Sequence, residues 1–367
     1  MEIPLFHTYI DPSAQETIGK VLHSTFLSEG DVVKIFETRL EKELGLKNPV
    51  TVNSGTSALH LALVLANVEA GDEVIIPAQT FVATGLIVLQ QGALPVFADI
   101  DYTTGNISVD SIEKKITKKT KAIIPVHWGG YPCNIDEINE LAQENNLAVI
   151  EDAAHALGAE YKNQPIGSYS NFTCFSFQAI KHLTTGDGGA ICVRDNAMCR
   201  EAVTRRWFGI NRNESPQTLL GERSYNIQSL GYKYHMNDYA AALGIANLET
   251  FKNRLNQRLM VADYYKDNLK ELDGIRLLNY ETDRKSAHWL FGFHVERRID
   301  FIKALKGRGI ATSVVHQRID RNKIFGEIRK DLVNQARFDE SQIHIPIHDA
   351  IDREKAAYIV ESIRQGW

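Results

Sequence analysis

Along the chain from about residue 50 to residue 193, short apolar runs alternate with stretches of helical periodicity. The runs fall at 74–76, 94–97, 122–126, 148–150, 172–177 and 190–193. Strands separated by helices predict an α/β architecture, a mostly parallel sheet covered on both faces, with ligands bound beyond the carboxyl ends of the strands. Ahead of this block, residues 8–44 read as helices. Pro12 to Glu16 supplies an N-terminus, 33–40 carries an apolar stripe, and 25–30 is a loop signal.

Beyond Cys199 the chain runs through Arg205 to Arg212 into a polar stretch, 213–225, that predicts a loop. A long helical pattern starts at Asn237, a candidate N-cap, and runs on, continuous or broken, towards Leu272. From Gly274 the alternation resumes, with strands at 289–295, 312–315 and 343–345 and helices at 301–307 and from Arg353. The pattern divides the chain into a large domain, 1–250, and a smaller C-terminal α/β domain, 251–367, without internal repeats.

Composition narrows the partners more than the fold. The 367 residues are 44% hydrophobic and 24% charged with a net charge of -5, which predicts neither a nucleic-acid nor an anionic-membrane partner. No apolar run approaches the roughly 20 residues of a membrane span, and the start lacks the basic and apolar segments of a signal peptide. The cysteines at 133, 174, 192 and 199 lack zinc-site spacing, so a reducing cytoplasm is expected. His344 and His348 are separated by Pro346, which argues against a shared helical face, and no metal site is expected.

Candidate chemistry centres on Phe175-Ser176-Phe177-Gln178-Ala179-Ile180-Lys181, followed by a glycine-rich turn through Gly186, Gly188 and Gly189. An amine there becomes a nucleophile only if desolvation or a cationic neighbour lowers its pKa, and its usual chemistry is Schiff-base formation. Taken alone, Lys181 reads first as a solvated surface residue. Three further stretches change that. Val149 to His155 brings a carboxylate, Asp152, to a strand end; Val52 to Leu59 sets Gly55 and Thr56 at a helix start; Phe81 follows the strand at 74–76. Together they make up the parts of a pyridoxal 5'-phosphate (PLP) site: an amine, an acid for the ring nitrogen, an anion cradle and a flat face.

These residues belong to motifs that occur in order: Ser54-Gly55-Thr56-Ser57-Ala58-Leu59, Thr80-Phe81-Val82-Ala83-Thr84, Glu151-Asp152-Ala153-Ala154-His155-Ala156-Leu157-Gly158-Ala159, Phe175 through Gly189, and Gly231-Tyr232-Lys233-Tyr234 leading to Ala241-Ala242-Leu243-Gly244. In them the chain resembles the DegT/DnrJ/EryC1/StrS family of PLP-dependent sugar aminotransferases over nearly its whole length. The resemblance implies the type I PLP-transferase fold, with a mostly parallel seven-stranded sheet. It also implies Lys181 as cofactor anchor and proton carrier, with pyridoxamine phosphate as the second cofactor form.

By the same resemblance, Asp152 would hold the ring proton, Phe81 would stack on the ring, and Gly55, Thr56 and Ser176 would bind the phosphate. His155 would lie near the phenolic oxygen, and Lys233 would reach the phosphate of a neighbouring subunit, making a homodimer with shared sites. Read from the residues alone, Asp152 is also a helix N-cap, Phe81 core, His155 a satisfied buried histidine and Lys233 an exposed side chain. Two segments depart from the family pattern and are expected to border the substrate: 126–132, and 312–320 with the candidate substrate contacts His316 and Arg318. Arg318 reads otherwise as a surface arginine. The expected reaction moves an amino group from L-glutamate to a nucleotide-linked keto sugar; the alternatives are a PLP-dependent sugar dehydratase, which relatives achieve with histidine in place of the lysine, and a PLP-binding regulator.

Overall fold

Seven strands make one sheet: β1 (Pro49–Val52), β2 (Glu73–Pro77), β3 (Leu94–Ala98), β4 (Thr120–Ile123), β5 (Ala148–Asp152), β6 (Phe172–Ser176) and β7 (Gly189–Val193). Their order is β1-β7-β6-β5-β4-β2-β3. Only β7 runs antiparallel to its neighbours. The computed structural model describes residues 2–211 and 215–367, so Arg212 and the first two positions of the stretch expected as a loop lie outside the described residues. The remainder of that stretch is a short turn, with Gln217 bridged to Arg223.

Alternation along the strands feeds two cores. Ile75, Ile123, Val149, Ala190 and Cys192 face one layer, while Val74, Ile76, Ala122, Ile150, Ile191 and Val193 face the other. On the second face lies helix α1 (Gly55–Leu65), buried at every position from Ser57 to Leu65. A helix that is apolar all round belongs inside, and this one is held there with its N-terminus at the strand ends. Helix α2 (Ala83–Gln90) follows β2 on the way to β3.

The long helical pattern after Asn237 is broken into two helices, Asp238–Leu248 and Phe251–Leu269. The C-terminal part contains a second sheet of three antiparallel strands, β8 (Ile275–Leu277), β9 (Phe291–Val295) and β10 (Gln342–Ile345). Ile3 packs into the core beneath this sheet and bridges to Ile310. Four expected strands are shorter than read, the 172–177 run by its last residue only. The 122–126 run stops pairing with β2 after Ile123, ahead of Pro125, which has no N–H to give, and stays beside β5 only through the bridge of Val126 to Asp152. The 289–295 run begins only at Phe291, because the amides of Ala287 and Leu290 go to the carbonyls of Gly130 and Gly129. The 312–315 strand reduces to a single bridge, Ser313 to His344, since the Val315 amide is taken by His344 Nδ1 at 3.2 Å. No helix among the described residues is long and apolar enough to cross a membrane.

Candidate active site

The strand ends open onto a cavity of about 290 Å³ lined by Ser54, Gly55, Thr56, Phe81, Asp152, His155, Ser176, Lys181, Trp289 and His316, among others. Lys181 stands on the loop that follows β6. The loop is closed at its base, where Phe177 N donates to Gly188 O at 2.8 Å and Thr185 N to Phe177 O at 2.9 Å. Lys181 is half-buried as a residue, and its Nζ lies 3.6 Å above the ring centroid of Trp289. Burial pulls its amine down to about 7, against the opposing charge of Asp152.

Asp152 ends β5 on the cavity floor. Thr84 Oγ1 donates to its Oδ2 at 2.7 Å and the Ala154 amide to its Oδ1 at 3.2 Å. Burial raises its pKa, and these two bonds, together with Lys181 and His127, offset the rise in part. No helix starts here, so the N-cap alternative does not hold.

At the start of α1 the Ser54 hydroxyl accepts the Ser57 amide at 3.0 Å, leaving the first-turn amides of Gly55 and Thr56 without intrahelical acceptors. This end sits against β6 because the residues between are small. A Cβ on Gly55 would come within 2.9 Å of Ser176 Cβ, and one on Gly189 within 2.7 Å of the Gly55 amide nitrogen. Ser176 is thereby brought beside the helix N-terminus.

Phe81 is 53% exposed, which excludes a role as core, and its ring lies 5.1 Å from that of His316. His155 stacks on Trp289 with centroids 3.8 Å apart and planes at 14°. Among the described residues its buried Nδ1 has no hydrogen-bond partner, so it is not the satisfied histidine of the alternative reading. Burial, and then the nearby Lys181, keep it neutral. The same two causes hold His316 down to about 4, and its carbonyl is fixed by Gln79 Nε2 at 2.9 Å.

Other candidates lie elsewhere. Arg318 is 5% exposed and makes two 2.6 Å bonds to the Asp320 carboxylate and a 3.0 Å bond to the Arg329 carbonyl. Its Nε and Nη2 donors are taken inside the protein and it does not line the cavity, against the expected anion contact there, and its burial excludes the surface alternative. Lys233 is exposed and outside its own chain's cavity, although its carbonyl accepts from Asn53, two residues before Gly55, at 3.2 Å. His182 turns away from the cavity, donating Nε2–H to the Ala287 carbonyl at 2.8 Å. Of the 126–132 segment, Val126 lines the cavity, whereas His127 is buried against Glu151 at 2.7 Å. Loop 25–30 lies by Arg206, which Glu29 pairs at 2.7 Å.

Two residues that shape the site carried no assigned role in the sequence. Thr84 was visible as part of the Phe81 motif, one helical turn after Thr80. Trp289 gave no signal, because an aromatic in an apolar run reads as core.

These donors suit PLP. A buried carboxylate only partly compensated fits a cationic ring nitrogen, the uncapped amides of α1 fit a phosphate, and His155, which lines the cavity, keeps a buried Nδ1 without a polar partner. Fold and cavity chemistry together define the class: a PLP-dependent enzyme of fold type I.

A model of the DegT/DnrJ/EryC1/StrS aminotransferase family matches residues 8–364. GDP-perosamine synthase of Escherichia coli O157:H7 is 32% identical over 373 residues, 99% of this chain and 98% of that protein. The sugar aminotransferase CalS13 from Micromonospora echinospora is 32% identical and superposes with a TM-score of 0.95, covering 100% of both chains. Spr1654 from Streptococcus pneumoniae, solved in a PLP form, is 29% identical with a TM-score of 0.92 over 100% of this chain and 98% of that one. The chain belongs to the DegT/DnrJ/EryC1/StrS aminotransferase family, and it is a PLP-dependent aminotransferase.

Proposed function

We propose that the chain moves an amino group from L-glutamate to the keto carbon of a nucleotide-linked deoxy sugar, as a cytoplasmic homodimer with shared sites. The observation that carries the reading is Lys181, an amine drawn down to about 7 in the same cavity as the Asp152 carboxylate. Near neutral pH such an amine is neutral in an appreciable fraction of molecules, as both a nucleophile and a proton acceptor must be. The sugar acceptor rests on the names of the relatives, GDP-perosamine synthase and sugar aminotransferase. Deoxyamino sugars of this kind serve surface polysaccharides, the setting named for a Bacillus subtilis spore-coat relative.

When bound, PLP supplies an electron sink for the carbanion that deprotonation of the substrate carbon creates. Lys181 would anchor it and would hold and release the substrate-carbon proton at Nζ. Asp152 keeps a proton on the ring nitrogen, held in orientation by Thr84. Gly55, Thr56 and Ser176 bind the phosphate, joined by Lys233 of the neighbouring subunit. Of the residues lining the cavity, Phe81 would pack on the ring, His155 would lie near the phenolic oxygen, and His316, held neutral, would border the acceptor. The large unit 1–250 is read as the cofactor-binding part and 251–367 as the smaller part that completes the cavity through Trp289 and His316.

The test is an assay with L-glutamate and a panel of nucleotide-linked keto sugars that differ in nucleotide and keto position. Amino sugar and 2-oxoglutarate in equal amounts are expected from at least one sugar. Loss of sugar without 2-oxoglutarate would identify a dehydratase instead. Cofactor bound at Lys181 with no turnover on any sugar would overturn the acceptor class.

A further inference from the structure

Trp289 touches three parts of the site at once. Lys181 Nζ lies 3.6 Å over its ring centroid, His155 stacks on it at 3.8 Å, and its Nε1–H donates to the Ile180 carbonyl at 3.0 Å. Phe6 stacks on it as well, at 5.3 Å and 25°, and the indole is only 2% exposed. A side chain held on so many sides has one orientation, and the Nε1–H bond ties the peptide just before the lysine to it.

An aromatic face carries negative potential, so it attracts an ammonium far more strongly than a neutral amine, to which it offers only a weak N–H contact. When Lys181 takes the proton from the substrate carbon, the C–H bond breaks, an N–H bond forms and a positive charge appears above the indole. We propose that Trp289 is a positioning residue for Lys181, its face holding the protonated amine and its Nε1–H fixing the peptide that carries it. The proposal rests on the reading of Lys181 as cofactor anchor and proton carrier, and deepens it.

The other groups around the amine leave this task open. Burial disfavours the ammonium, and the Asp152 carboxylate at the end of β5 favours it. His155 after β5, His316 before β10 and the adjacent His182 are all held neutral by burial and bring no charge. The indole face is thus a second feature that favours the charged form, and it stands closer to Nζ than the usual limit of about 6 Å for such contacts.

Fluorinated tryptophans placed at position 289 by nonsense suppression keep the shape, the burial and the Nε1–H bond while draining negative potential from the ring face. In the full-length chain freed of cofactor, labelling of Lys181 by a small amine-reactive reagent, read by peptide mass spectrometry against pH, gives the amine's titration midpoint. The midpoint is expected to fall stepwise with fluorine number, by roughly half a unit to one unit for the most fluorinated ring. A midpoint that does not move across the series overturns the proposal. Trp289→Phe, which keeps a face, is expected to retain more turnover than Trp289→Leu at every pH, and equal loss in both would also count against the face. Borohydride reduction of wild-type holoenzyme tests the underlying reading separately. Cofactor fixed to another lysine removes the anchor role of Lys181, whereas cofactor fixed to Lys181 with an unmoved midpoint removes only the role of Trp289.

Discussion

Thr84 Oγ1 donates to Asp152 Oδ2 at 2.7 Å, and because a hydroxyl has one proton, Thr84 must accept from Thr80 Oγ1, also 2.7 Å away. The relay joins the first turn of α2 to the end of β5 and fixes one carboxylate oxygen, leaving the acid oriented by a neutral donor. Asp152→Asn keeps the shape and removes the charge, so turnover should fall by orders of magnitude. Its melting temperature should not fall, because the desolvated carboxylate is gone. Thr84→Val removes one bond to a charged group, worth about 1.5–3 kcal/mol, and should lower turnover roughly ten- to a hundredfold. Rates and thermal melts of both variants check this, and near-normal turnover by a folded Asn variant would remove Asp152 from its role.

Lys181 also makes the stability of the cofactor-free chain depend on pH. Its folded pKa is lowered from 10.5 to about 7. Between those values the unfolded lysine holds a proton that the folded one has lost, so stability rises with pH across this window and the cost of burial is fully present below it. Lys181→Met removes the group, so the variant should melt above wild type at pH 7, with the gap closing towards pH 10. A gap independent of pH would show that the amine keeps its ordinary pKa.

Arg318 and Asp320 should matter for folding and not for the sugar. Asp320 is fully buried, and besides the arginine it accepts the Arg329 amide at 2.9 Å. Arg318→Ala strands that carboxylate, a loss of about 3–5 kcal/mol by the usual cost of breaking a buried pair. The double variant Arg318→Met, Asp320→Leu should recover much of it. Chemical denaturation of the three proteins measures the effect. A selective rise in KM for the sugar with unchanged stability would restore Arg318 to the substrate site.

The sequence made most of the sheet legible because buried parallel strands are short apolar runs, and the runs at 74–76 and 148–150 need no partner to be recognised. It was less clear wherever a strand ends because its amides are taken by something distant. Nothing near Val315 announces that His344 accepts its N–H, and nothing near Leu290 announces Gly129. The same limit applies to the site. Lys181, Asp152 and Gly55 could be picked out because each sits in a local pattern with its own chemistry, a glycine turn, a strand end or a helix start. Trp289 could not, since its contacts to Lys181 and His155 join stretches more than 100 residues apart. Arg318 misled because a guanidinium within an unusual segment looks free until its partner, two residues on, is seen to be buried with it.

The exposed position of Lys233 leads to the last prediction. Its segment is anchored to the edge of the large sheet, with Val52 bridged to His235 and the Asn53 amide bonded to the Tyr234 carbonyl at 2.7 Å. The backbone thus runs beside the phosphate cradle while the amine stays outside the chain's own cavity, which suits a side chain that serves a neighbouring subunit. In a symmetric dimer with shared sites, Lys181→Ala and Lys233→Ala chains complement each other. A mixed dimer has one site with both defects and one with neither. With random exchange between equal amounts, half the dimers are mixed and half of their sites intact, so activity should return to about one quarter of wild type. Native mass spectrometry confirms the exchange. Recovery no greater than that of the two parent variants would place Lys233 in its own chain's site or in none.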